Sequence, residues 1–142
     1  MKHCVERRAA RQPWQSSQTY SSSMSSSSTI VIEHVVLLKV KSNASDDELK
    51  AFVEGVQSLK SIPGVISITV GSTFVEEWMP DRRNGHTHTL SCRLESKDAL
   101  RIYQDHPLHE KVKKEVIVPI LAGPLLAVDY ESVVVLGDST GK

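Results

Sequence analysis

Thr29-Ile-Val-Ile-Glu-His-Val-Val-Leu-Leu-Lys-Val40 is the stretch that decides the fold. It is β-branched and apolar apart from Glu33, His34 and Lys39, which is the composition of a β-strand. Side chains alternate across a strand, so Ile32, His34, Val36, Leu38 and Val40 share one face, and Val31, Val35 and Leu37 share the other. Both faces are apolar, so both must be covered.

Downstream, Ser45-Asp-Asp-Glu48 has the form of a capping box, in which serine and glutamate satisfy each other's backbone N–H groups. Leu49, Phe52, Val53, Val56 and Leu59 then recur at helical spacing, and Pro63-Gly64 ends that helix. Val65 to Val70 reads as a second strand, and Gly71 to Gly85 as a long loop broken by Pro80 and Asn84-Gly85. A third strand is predicted from His86 to Leu94, with His88, Leu90, Cys92 and Leu94 on its apolar face. Ser96 caps a short helix holding Ala99, Leu100 and Tyr103, which His106-Pro107 interrupts because the residue before proline is pushed out of helical angles. Pro107 suits the first turn of a further helix, with Leu108, Val112 and Val116 inward and Glu110 to Lys114 as an i,i+4 pair. Pro119 and Gly123-Pro124 close it, and Leu125 to Tyr130, extending as far as Leu136, forms the last strand.

Strand, helix, strand, strand, helix, strand is the ferredoxin-like plan: an α+β domain with a four-stranded antiparallel sheet and its helices on one face. Those helices leave the second face bare, and soluble monomers seldom expose an apolar surface of that size. A second copy packed sheet against sheet with two-fold symmetry removes the problem, giving a homodimeric α/β barrel.

The domain so defined runs from residue 29 to 131, with 132–142 as a strand extension and tail. Residues 1–28 differ in kind: Lys2, Arg7, Arg8 and Arg11 stand against the single acid Glu6, and Ser21 to Ser28 is serine broken only by Met24. Such a composition buries too little apolar surface to offset the entropy of ordering, so a disordered tail is expected. It reads either as a leader ahead of a native start at Met24 or as an organelle transit peptide, which places the protein in the cytoplasm or, alternatively, a plastid or other organelle. A formal net charge of zero shows no footprint for nucleic acid or an anionic membrane, and no apolar run approaches the ~20 residues of a membrane span. Cys4 and Cys92 are too few for a disulfide framework, which fits a reducing compartment.

Three histidines and a tyrosine are placed to carry chemistry. His34 and His88 lie on apolar strand faces, and Tyr103 and His109 flank the His106-Pro107 break, where side chains can turn into a cavity. Histidine exchanges protons near neutral pH, and a tyrosine hydroxyl beside it can hold a carbonyl oxygen, the minimum equipment for enolisation. Val36, Leu38, Phe52 and Leu90, together with His34 and His88, are the expected ligand lining. The plainer readings are hydrogen-bonded core histidines for His34 and His88, a helix cap for His106 and an apolar filler for Cys92. His86 and His88 lack a third ligand, so no metal site is expected.

Ile32-Glu-His-Val-Val-Leu-Leu-Lys39, Gly85-His-Thr-His88, Tyr103-Gln-Asp-His-Pro-Leu-His109 and Val128-Asp-Tyr130 together resemble the stress-responsive dimeric A/B barrel family, from first strand to last. The resemblance implies a homodimer with a pocket between each sheet and its helices, a stress-associated role and no assigned reaction. A more distant likeness is to olivetolic acid cyclase, which closes a linear polyketide thioester by intramolecular aldol chemistry. That likeness implies His109 as base, Tyr103 as its partner, His34 and His88 as pocket residues, and a polyketide-like or small apolar ligand. Gly55 stands where the cyclase has a pocket tyrosine, which would widen that cavity wall. No cofactor is expected, although relatives can hold a magnesium ion on backbone carbonyls near the end of the first helix. A third reading is a haem- or quinone-handling monooxygenase, the chemistry of other dimeric α/β barrels.

Overall fold

The computed structural model describes residues 28–135; the tail of residues 1–27, with Met24, and residues 136–142, with Leu136, lie outside them. Four strands and three helices follow one another: β1 (Ser28–Leu38), α1 (Asp46–Ser58), β2 (Val65–Ser72), β3 (His88–Leu94), α2 (Lys97–Asp105), α3 (Pro107–Val112) and β4 (Leu126–Val135). The strands form one antiparallel sheet in the order β2-β3-β1-β4, the ferredoxin-like arrangement read from the sequence.

β1 holds the centre. Its register sets Ile32 opposite Leu94, His34 opposite Cys92, and Val36 opposite Leu90 on one side, and His34 opposite Asp129 on the other. Ile32, Val36, Leu38, Leu90, Cys92 and Leu94 therefore form one buried layer beneath the helices. Phe52 and Val56 come down onto it from α1, Leu59 from the 3₁₀ turn that follows, and Ala99 and Tyr103 from α2. Fully burying each of the Val, Leu, Ile and Phe side chains among them contributes about 1.5–3 kcal/mol.

Local chemistry fixes the helix ends. Ser45 Oγ accepts from the Glu48 N–H at 3.1 Å, and the Glu48 carboxylate accepts from the Ser45 N–H at 2.8 Å, completing the capping box. Ser96 caps α2 by accepting from the Ala99 N–H. His106 leaves helical geometry ahead of Pro107, and its Nδ1 accepts the Leu108 N–H at 3.1 Å, so this histidine is a cap.

Several boundaries differ from expectation. β1 stops at Leu38; Val40 instead bridges Leu121, with the Lys41 N–H donating to the Ile120 carbonyl at 2.8 Å. β3 starts at His88, because Arg83-Asn-Gly-His86 is a tight turn with φ of 50° at Asn84 and 79° at Gly85. After α3 the chain winds into a π-helical turn, Lys113–Ile117, and then a 3₁₀ turn, Val118–Ile120. Glu110 pairs with Lys113 at 3.2 Å in place of the expected Lys114, and Ile117 is buried more deeply than Val116.

The face of the sheet away from the helices stays open. On it Leu126, Val128 and Tyr130 of β4 are 48%, 49% and 50% exposed, beside half-buried Leu37 and Val35. The one ion pair on this face, among the described residues, joins buried Glu33 to Arg93 across β1 and β3 at 2.7 Å.

Candidate functional site

A cavity of about 380 Å³ opens between the sheet and the α2–α3 layer. Its sheet wall is Val36, Leu90 and Ala127, its helix wall Tyr103, His109 and Ile117, and Lys113 and Glu110 stand among its polar lining. Apolar walls with a few convergent polar groups are the usual form of a small-molecule site.

The His-Pro break brings the polar groups together. With Tyr103 in the last turn of α2 and His109 in the first turn of α3, their rings come to 4.8 Å between centroids. His34 rises from β1 to meet Tyr103 edge-on at 5.8 Å. Its Nδ1 lies 2.5 Å from Asp129 Oδ1 on the neighbouring strand.

Burial sets the protonation states. The His109 imidazole is held below the ordinary histidine range, chiefly by burial and then by His34 and Lys113 nearby; Glu110 and the Gln104 carbonyl oppose this weakly. His109 Nδ1 is the one buried side-chain nitrogen or oxygen without a hydrogen-bond partner among the described residues. Tyr103 is 1% exposed, and burial, together with the Cys92 thiol against its hydroxyl, drives its ionisation well above the usual range. It keeps its proton, and its hydroxyl can both donate and accept a hydrogen bond. Burial pushes the Cys92 thiol up to about 11, against the weaker pull of the Tyr103 hydrogen bond, so this residue is a filler rather than a nucleophile.

Of the residues singled out from sequence, Tyr103, His109, His34, Val36 and Leu90 all line this cavity. Leu38, Phe52 and His88 do not, which corrects their expected place in its wall. Leu38 and Phe52 are fully enclosed core, and Phe52 meets the His88 ring edge-on at 6.0 Å. His88 Nδ1 bonds Thr87 Oγ1 at 2.8 Å, opposite Leu38 at the end of β1, four residues along from His34 and Asp129. His86 sits in the turn with its Nδ1 against the Arg83 carbonyl, so it does not share a strand face with His88.

Gly55 does not widen the cavity either. A methyl group there would stand 2.8 Å from Val116 Cγ2, so valine already fills that wall. Asp129 escaped the sequence reading altogether, because only strand register joins it to His34, 95 positions away.

Magnesium takes oxygen ligands in near-octahedral order. Near the end of α1 the carbonyls of Gly55, Ser58, Leu59 and Ile62 already accept from Ser58 Oγ, Ser61 Oγ, Ile62 N–H and Val65 N–H. No His, Cys, Asp or Glu cluster able to hold a metal gathers among the described residues. Among the same residues, no helix is long and apolar enough to cross a membrane.

Comparison with known proteins agrees with this architecture. Over 100 residues the chain is 31% identical to a stress-response A/B barrel domain-containing protein of Arabidopsis thaliana, covering 70% of this chain and 36% of that protein. It is 31% identical over 86 residues to a second such protein of the same plant, DABB1, covering 60% of this chain and 40% of the relative. The chain thus spans well under half the length of these curated relatives. Among solved structures, Arabidopsis At3g17210 superposes with a TM-score of 0.61 at 25% identity, over 70% of this chain and 92% of that one. A dimeric ferredoxin-like protein from Thermobifida fusca gives 0.59 at 22% identity, over 72% and 91%. Residues 32–132 match the Stress responsive A/B Barrel Domain, Dabb, and the chain belongs to that family.

Proposed function

We propose that this protein is a homodimeric stress-response A/B barrel whose cavity takes up a small, mostly apolar molecule. The observation that carries the reading is the 380 Å³ space itself: apolar walls, with His34 and His109 as polar groups on them. Dimerisation is supported by the half-exposed Leu126, Val128 and Tyr130, which a second sheet would cover. The Thermobifida relative, itself described as dimeric, supports it too. The proposed location is the cytoplasm, or a plastid should residues 1–28 direct import.

A cyclase-type reaction by Tyr103 and His109 gains nothing over this reading. Tyr103 is enclosed with its hydroxyl against the Cys92 thiol, and among the described residues no side chain hydrogen-bonds His109 Nδ1 to hold its orientation.

The test pairs assembly with uptake. The full chain should sediment as a dimer at micromolar concentration, and Val128→Lys, which puts a charge into the shared face, should sediment as a monomer. The apolar dye anilinonaphthalene sulfonate should bind the wild type saturably. Ala127→Trp, which fills the cavity from its rim, should abolish that binding without lowering the melting temperature. Undiminished dye binding by the filled variant would defeat the ligand reading.

A further inference from the structure

We propose that the cavity releases its apolar guest on mild acidification, and that a proton taken up by His109 drives the guest out. The inference rests on the cavity being a ligand site and goes further, to how its occupancy is regulated.

His109 lines the cavity from the first turn of α3, and its Nδ1 is enclosed with no hydrogen-bond partner among the described residues. An imidazolium carries a proton on both ring nitrogens, so charging this ring would leave a buried N–H facing no acceptor. Water does not reach that nitrogen either. The main hydration open to a charged His109 is therefore the cavity water against the rest of its ring. An apolar guest displaces that water. Guest and proton thus compete, and each weakens the binding of the other by the same factor.

The groups around the ring act in the same direction. Tyr103 of α2 meets it at 4.8 Å between centroids and, keeping its proton, brings no negative charge. Lys113 of the π-helical turn opposes a proton there, and so does His34 of β1 whenever that ring, held against Asp129 of β4, is charged. Glu110 of α3 and the Gln104 carbonyl of α2 favour the proton more weakly, and Asp105 of α2 lines the same cavity. Burial outweighs them all and holds His109 below the ordinary histidine range. The empty site takes up the proton at a higher pH than the filled one. Affinity is therefore full near neutrality and falls as the pH drops through the titration of the empty site.

N-Phenyl-1-naphthylamine tests this directly, because it is apolar, fluoresces when enclosed and stays uncharged throughout the range. It is titrated into the full chain at low ionic strength, with the melting transition recorded at each pH to show that the chain is folded. The dissociation constant should rise at least about threefold from about pH 7.5 to about pH 5. His109→Gln keeps a polar side chain without a titrating ring, and its dissociation constant should be flat over the same range. Lys113→Gln removes an exposed positive charge beside the ring, so its weakening should set in at a higher pH than in the wild type. A histidine that merely shaped the wall would respond to neither change. Three results overturn the proton switch while leaving the cavity as a ligand site: a wild-type affinity that is flat or improves with acid, a pH dependence that survives in His109→Gln, or an onset in Lys113→Gln no higher than the wild type's. No binding of this probe at any pH, with anilinonaphthalene sulfonate also excluded, overturns both readings. Wild type against Lys113→Gln decides the matter even if His109→Gln fails to fold.

Discussion

Gly55 of α1 and Val116 of the π-helical turn are in such close contact that a β-carbon on the glycine would lie 2.8 Å from the valine's Cγ2. Glycine in a helix interior costs about 1 kcal/mol relative to alanine, so an unhindered Gly55→Ala would stabilise the protein. Here the clash outweighs the propensity, since overpacking costs roughly 1–3 kcal/mol. Urea denaturation should show Gly55→Ala less stable by about 1 kcal/mol. Combined with Val116→Ala, the loss should be smaller than the sum of the two single losses. Strictly additive losses would disprove the contact.

Gly64 tells a related story a few residues beyond the end of α1. Its φ of +90° is one that side chains rarely adopt, and a β-carbon there would come within 2.7 Å of the Ala99 Cβ. Its carbonyl also accepts the Glu95 N–H at 3.0 Å, tying the β2 entry to the end of β3. Gly64→Ala combines backbone strain with a steric conflict, and a loss of about 2–4 kcal/mol is expected by chemical denaturation. Adding Ala99→Gly should recover part of it. No recovery would mean that strain alone sets the cost.

Stability should also fall on mild acidification. Burial is the chief cause that lowers both His88 and His109 from the ordinary value of 6.5. The unfolded chain therefore takes up these protons at a higher pH than the folded one does, and stability rises with pH through that window. The contribution is complete above about 6.5 and is lost as the pH falls through the depressed folded values. Melting temperatures should drop between about pH 7.5 and about pH 5.5, and the drop should be shallower in His88→Phe and His109→Phe. Equal slopes in all three proteins would count against burial of neutral imidazoles.

How much of this could be read from the chain depends on distance along it. The two-sided apolarity of Val31 to Leu38, the Ser45–Glu48 box and the His106-Pro107 break are local patterns, and each appears in the structure where the residues place it. Tyr103, His109 and His34 converge as their positions on α2, α3 and β1 suggested. Asp129 carries no local signal, since an acid between Val128 and Tyr130 reads as an ordinary solvent-facing strand residue. Only the β1–β4 register reveals its partner. The same holds for Val116 against Gly55, where a reading based on which residue is missing saw a gap, and tertiary packing had already filled it. His88 failed for the opposite reason: its alternation was right, but a sheet face is longer than one cavity, and Phe52 claims that end.

The π-helical turn at Lys113–Ile117 has a consequence for variation within the family. It accommodates one residue more than an α-helix of the same rise would hold, and that surplus turns Ile117 inward to the cavity. Deleting one of these five residues would let the segment relax into regular helix and remove the widened turn that holds the isoleucine in the wall. Cavity capacity in this protein is thus governed by chain length at a single point, so insertions and deletions there would retune the guest more sharply than exchanges of side-chain size elsewhere.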